Sequence, residues 1–190
     1  MRKISSRDTR YFISKRAEEE AEEAVGVVQE VFSDSEEDAK ATFGGDSMDA
    51  LQVLLGMLRA QYLLYHTLHW QAKGDPAYGN HLLFQRLYEA NVEQIDSLAE
   101  KMVGMYGNHS VDLPEQLEVM QKLCASWCKI EDPHQRGLKS EEVLQATLKK
   151  VYDHMKESDD LTLGMDDYLM ATASEHDTNM YLLQQVLGEV

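Results

Sequence analysis

Cysteine is almost missing from this sequence: Cys124 and Cys128 are its only two. Their four-residue spacing puts both thiols on one side of a helix, where the backbone makes a disulfide between them awkward. It is also not the two-residue gap of a redox motif or a zinc knuckle. Both are expected to be reduced, small, buried residues. Long apolar runs are missing too. Nothing approaches the roughly 20 consecutive apolar residues of a membrane span, and the charged start of the chain has no apolar core behind it. The expectation is a soluble, unexported, cytoplasmic protein with no membrane partner. Basic residues are in deficit, 18 Lys and Arg against 34 Asp and Glu, for a formal net charge of -16 and a pI near 4.7. That balance argues against a whole-protein role in binding nucleic acid or an anionic membrane, so any such contact must be local. Alternating polar and apolar residues, the mark of a half-buried strand, never run long enough to argue for a sheet.

What is present is helical periodicity. With 190 residues and 43% hydrophobic content, the chain can build one core with appendages, and its length argues for one domain. Residues 1–46 read as a charged extension. Residues 1–16 carry six basic residues (Arg2, Lys3, Arg7, Arg10, Lys15 and Arg16) against Asp8 alone, whereas residues 17–50 carry twelve acidic residues against Lys40 alone. Within 17–40, Ala24, Val27, Val28, Val31 and Phe32 recur at helical spacing, which predicts an amphipathic docking helix. The Ser33–Glu37 cluster and Gly44-Gly45 read as linker.

Residues 47–190 form the main domain. A first long helix is expected from Ser47, as N-cap, to about Ala72, apolar on more than one face and so suggestive of a subunit contact. Lys73-Gly74-Asp75-Pro76 is a turn. A second helix is expected from about Tyr78 to Tyr106, a short one after Pro114 to about Cys128, and a loop at Asp132-Pro133. Ser140-Glu141-Glu142 then opens a third long helix, and the last begins near Leu163. The fold class is therefore all-α, four long helices in a bundle with a short helix between the second and third.

The chemistry concentrates between His69 and Glu100. His69 falls in the last turn of the first helix and His81 in the first turn of the next, at one end of the hairpin. Asp96 and Glu100, four apart, share a face of the second helix. Imidazole and carboxylate together suit iron and similar first-row metals. His81 and Asp96, however, are fifteen residues apart, roughly 22 Å of helix at 1.5 Å per residue, too far to touch one metal. Two copies packed antiparallel about a two-fold axis bring the histidine end of one hairpin to the carboxylate face of the other.

The segment HWQAKGDPAYGNH, followed by IDSLAE, resembles the signature of the Dps family of ferritin-like mini-ferritins, and the likeness spans roughly residues 48–189. In that family an intersubunit ferroxidase centre uses two histidines twelve residues apart, an Asp four beyond the second, and an Asp and a Glu further along. His69, His81, Asp96 and Glu100 stand at four of those five positions. The resemblance implies a hollow dodecamer that takes in ferrous iron, oxidises it with hydrogen peroxide and stores a ferric mineral, with zinc as a surrogate metal. It also implies that Trp70 lies beside the iron site, although plain interface packing suits that residue equally. At the fifth position stands Gln85, which offers a carbonyl oxygen but no charge and so weakens the hold on a hard cation. Glu89, Glu93 and His66 are the nearby residues able to take its place.

Other polar groups read as structural. An intrasubunit di-iron centre expects Glu-x-x-His motifs, and the only match, Glu131 to His134, is interrupted by Pro133. Glu175-His176-Asp177 is expected on the surface or at an interface, and methionines such as Met48, Met57, Met102 and Met105 in the core. A competing reading keeps the helical shell but lets the metal site decay, with the N-terminal extension making the functional contacts. Some Dps proteins bind DNA through basic tails, and residues 1–16 are suited to neutralise phosphates, although the adjoining acidic helix opposes this. If that tail binds DNA, the full chain is retarded in a gel, residues 17–190 are not, and the shift fades as salt rises; no retardation at low salt removes DNA as a partner.

Overall fold

The computed structural model describes residues 46–189; the basic 1–16 and acidic 17–40 segments of the expected extension lie outside the described residues. Five α-helices follow one another: α1 (Ser47–Gln71), α2 (Ala77–Tyr106), α3 (Leu113–Trp127), α4 (Pro133–Glu157) and α5 (Leu163–Leu187), with one 3-10 turn, Asn108–Val111, between α2 and α3. Among the described residues there is no strand, and no helix is long and apolar enough to cross a membrane. The expected architecture is present, four long helices with short α3 between the second and third.

Local chemistry sets the boundaries, and in two places it departs from expectation. Asp46, not Ser47, caps α1, its carboxylate accepting from the N–H groups of Met48 and Asp49. Ser47 is buried instead and donates its hydroxyl to Asp160 Oδ2 at 2.7 Å, tying the start of α1 to the loop before α5. Asp132 and Pro133 do not form a loop that leaves α4 to begin at Ser140. Asp132 accepts from His134 N and Gln135 N, and Pro133 occupies the first turn, so α4 begins seven residues earlier. An Asp-Pro pair is a helix opening because the cap supplies an acceptor and proline has no N–H to leave unpaired. Asp112 and Pro114 open α3 in the same way. Gly188, at φ 71°, takes the left-handed cap that ends α5.

Helix α1 is the axis of the packing. It lies against α2, α3 and α4, while α4 runs along α5 and α5 touches α2 more lightly. This explains why α1 is apolar on several faces: neighbours within the same chain cover them, so the suggestion of a subunit contact does not follow from that pattern. Leu51, Leu54, Leu58 and Tyr65 are wholly buried, whereas Leu63 and Trp70 remain exposed on the same helix. Met57 and Met102 sit in the core as expected, with Met48 and Met105 partly buried. The two thiols are free, but only partly as expected: Cys124 is half-buried and Cys128 is exposed, because α3 packs one stripe on α1 and Cys128 caps its solvent end.

Helices α1 and α3 approach closely at Gly56. A Cβ built there stands 2.8 Å from Val119 Cβ, closer than packed carbon atoms tolerate. Gly56→Ala gains about 1 kcal/mol in helix propensity but overpacks a rigid contact, a cost of about 1–3 kcal/mol. Chemical denaturation should show a net loss of stability; an unchanged or raised midpoint contradicts this seating of α3 on α1.

Candidate metal centre

The turn between α1 and α2 is short because Gly74 adopts φ 83° and Pro76 starts the next helix. It sets the last turn of α1 against the first of α2, and His69 and His81 meet there. Their rings stack with centroids 3.6 Å apart and 26° between planes. Each imidazole also bonds the other residue's backbone: His69 Nδ1 donates to His81 O at 2.9 Å, and His81 Nδ1 donates to His69 O at 3.1 Å. A carbonyl can only accept, so both Nδ1 atoms carry a hydrogen, and in the neutral ring this leaves the lone pair on Nε2. Fixing the tautomer from behind, with the second nitrogen facing outward, is how ligating histidines are commonly held. His69 is 9% exposed and His81 lies open to solvent.

Aromatic side chains wall this pair. Tyr88 stands edge-on to His69 at 5.3 Å, and His66 lies between Trp70 at 4.1 Å and Tyr88 at 4.5 Å. His66 is thus engaged by rings. Trp70 is 68% exposed, and Tyr78 and Leu82, at the same end of the hairpin, are exposed too.

The carboxylates lie elsewhere. Asp96 and Glu100 are exposed on α2, some 22 Å and more along the helix from His81. Among the described residues no three His, Cys, Asp or Glu side chains come together in a way that could hold a metal ion. One chain therefore joins the two histidines and leaves Asp96 and Glu100 apart from them. Gln85, one turn beyond His81, donates its amide N–H to Glu89 Oε1 at 2.7 Å. The neutral side chain thus draws a carboxylate, Glu89, to its side.

Comparison with known proteins identifies the family. The family description "Ferritin-like domain" matches residues 48–190. The chain belongs to the ferritin-like family. It is 29% identical over 128 residues to general stress protein 20U of Bacillus subtilis, covering 67% of this chain and 87% of that one. It is 26% identical over 125 residues to DNA protection during starvation protein 2 of Bacillus anthracis, covering 65% and 84%. Among solved structures, Dps from Listeria innocua soaked with cobalt superposes with a TM-score of 0.63 at 22% identity, covering 77% of this chain and 96% of that one. The Dps resemblance read from the histidine segment is borne out.

Inside this ferritin-like bundle lies a polar network that the sequence reading missed. Tyr65 of α1 donates its hydroxyl to Glu141 Oε1 at 2.5 Å; Glu141 Oε2 faces His176 Nδ1 of α5 at 2.5 Å; His176 Nε2 faces Gln94 Oε1 of α2 at 2.9 Å. Glu141 and His176 are wholly buried, so the reading of Glu175-His176-Asp177 as a surface triplet is wrong for His176 and holds for its two exposed neighbours. Gln94 donates its amide N–H to Glu175 Oε2 at 2.8 Å, so its carbonyl must face His176, and Nε2 of that ring carries a hydrogen. Burial first, and then the Glu141 charge, push the Tyr65 phenol well above its ordinary pKa.

A signal for the pair was present. Gly137, Glu141, Leu144, Leu148, Val151 and Met155 are all buried on α4, and Met165, Leu169, Thr172, His176, Asn179 and Leu183 on α5, each at alternating spacings of four and three. An acid and a base standing at inward positions of facing helices are a matched pair. Removing one partner of such a pair leaves an unpaired buried group, at a cost of about 3–5 kcal/mol. Glu141→Leu and His176→Leu should each show that loss on denaturation, with the double variant losing far less than the sum; additive losses contradict the pairing.

Proposed function

We propose that this chain is a Dps-type subunit that oxidises ferrous iron with hydrogen peroxide and stores the ferric product inside a hollow homo-oligomer. Iron is the substrate. The observation that carries the reading is the reciprocal His69–His81 arrangement, which engages both Nδ1 atoms and leaves both Nε2 atoms outside those bonds at one end of the α1–α2 hairpin. Imidazole suits ferrous iron, and a carboxylate favours the harder ferric product. Asp96 and Glu100 supply oxygen ligands only from a second copy, packed antiparallel about a two-fold axis. Exposed Trp70, Tyr78 and Leu82 beside the histidines offer that copy an apolar surface. Zinc can stand in for iron on such a donor set.

The assembly number carried by the Dps likeness is twelve, and the chain's acidity suits a cavity that draws in cations. Glu89, held beside Gln85, is the carboxylate best placed to make up the missing charge. A DNA contact, if the cell uses one, belongs to residues 1–16. Gln85 also favours the second reading, a shell whose metal site no longer oxidises iron, because a neutral amide holds a ferric product less well than a carboxylate.

Complementation tests the shared site. His69→Ala and Glu100→Ala oligomers should each oxidise ferrous iron, followed as ferric absorbance after peroxide, at least about tenfold more slowly than the parent. When the two variants are unfolded together and reassembled, half of the dimers pair one of each and regain one intact site of two, so about a quarter of parental activity returns. A site within one subunit regains nothing. A parental rate equal to that of buffer leaves only the shell.

A further inference from the structure

Cys124 and Cys128 take no part in the iron site proposed above. Both belong to α3, and the backbone N–H of Cys128 donates to the carbonyl of Cys124 at 3.0 Å, one full helical turn. Their side chains therefore leave the same side of the helix, with Cβ atoms about 5–6 Å apart. Both thiols are free, Cys124 half-buried and Cys128 exposed. They lie close enough to interact: burial first, and then the neighbouring Cys128, push the Cys124 thiol above its ordinary pKa.

That spacing selects what can join the two sulfurs. A disulfide needs Cβ atoms about 3.5–4.5 Å apart, so a direct bond has to pull the end of α3 inward. The end of α3 is fixed, because the N–H groups of Cys128, Lys129 and Ile130 donate to the carbonyls of Cys124, Ser126 and Trp127, and the Trp127 ring is buried in the core. An ion held between two thiolates needs a wider gap. Two metal–sulfur bonds of roughly 2.3 Å in a line put the sulfurs about 4.6 Å apart. Side chains one turn apart reach that span without moving the backbone.

The donor set then narrows the ion. Structural zinc takes four donors, and among the described residues no third His, Cys, Asp or Glu joins this pair. Calcium and magnesium take oxygen ligands. Thiolate and thioether sulfur select soft ions, and cuprous copper is the one that two sulfurs in a line satisfy. Met120, one turn before Cys124 and largely buried, adds a thioether at the inner end of the same row. Cys128, at the solvent end of α3, gives the ion a way in.

We propose that Cys124 and Cys128 form a binding site for one cuprous ion per chain, with donors distinct from those of the candidate iron centre. Two copper–sulfur bonds form as the two thiol protons pass to solvent. Copper stays cuprous, so the step needs neither oxidant nor reductant. Its use beside the iron site rests on the function proposed above. Cuprous copper, like ferrous iron, gives an electron to hydrogen peroxide and releases hydroxyl radical. A pair of thiolates withholds that second metal from peroxide, whereas the imidazole and carboxylate set takes the harder one.

The test is a titration of the full-length, iron-free, reduced protein with cuprous ion in the absence of oxygen, in competition with the coloured chelator bicinchoninate. The parent and His69→Ala should each withdraw a first equivalent per chain from the chelator; Cys124→Ser and Cys128→Ser should withdraw none. Should Cys124→Ser fail to fold, Cys128→Ser decides, since it alters an exposed side chain. X-ray absorption of the loaded parent should show sulfur neighbours only. A first equivalent that survives Cys128→Ser, that is lost in His69→Ala, or that shows nitrogen neighbours belongs to the imidazoles and overturns the proposal. One copper for every two chains assigns the ion to thiols of two subunits and overturns it too, as does a parent that withdraws no copper. Each of these outcomes is read without iron, so failure of the iron reading leaves the copper result standing.

Discussion

Packing of α1 against α2, α3 and α4 is the contact on which the remaining geometry depends. A helix covered on three sides cannot rotate or slide without opening several interfaces at once, because protein interiors are packed as densely as crystals. Gly56 under Val119 fixes its depth, and Ser47 against Asp160 fixes its start. Tyr65 and His69 are carried on this rod one turn apart, Tyr65 turned into the bundle and His69 toward the hairpin end. The position of the candidate centre is therefore set by the core and not by the loop beside it. The turn at Gly74 and Pro76 then has only to deliver His81, and the paired imidazole–carbonyl bonds lock the two histidines together.

Helix geometry sets the second constraint. A straight α-helix separates residues fifteen apart by about 22 Å, so no rotamer change brings Asp96 to His81. In the function proposed above, the candidate nitrogen ligands at one end of the hairpin and the candidate oxygen ligands toward the middle of α2 are two halves of one site. Self-association about a two-fold axis joins unlike halves twice over, since whatever one copy gives the other it also receives. The exposed rings at the histidine end, Trp70 and Tyr78, are costly in water and useful in such a pairing.

The parts of the fold legible in the sequence are those written in apolar periodicity: the order of the helices, the α1–α2 turn, and the His69–His81 segment with its helical placement. Two kinds of residue were illegible. Asp132-Pro133 reads as a break when proline is taken as a stop, although the same pair starts a helix when a long apolar stripe follows; the choice depends on what packs after it. Glu141 and His176 were missed because a charged residue in an apolar stripe reads as a boundary or a solvated face. Only the facing of α4 and α5 shows that each answers the other. The multi-sided apolar character of α1 was legible, but its cause was not, since a neighbouring helix and a neighbouring subunit leave the same pattern.

The buried pair then calls for a reason beyond stability. Replacing a buried ion pair by well-packed apolar residues is often neutral or stabilising, and Gly137, Leu144 and Leu183 nearby show that this core accepts apolar side chains. Specificity of helix pairing is one such reason, but it needs only two partners. Here the carboxylate of Glu141 is used on both oxygens, toward His176 and toward a phenol one turn from a candidate iron ligand. A phenylalanine at position 65 would fill the same space without a hydroxyl to satisfy. The hydroxyl is instead kept, wholly buried and bonded to Glu141, so that position 65 ties α1 to the pair that joins α4 and α5.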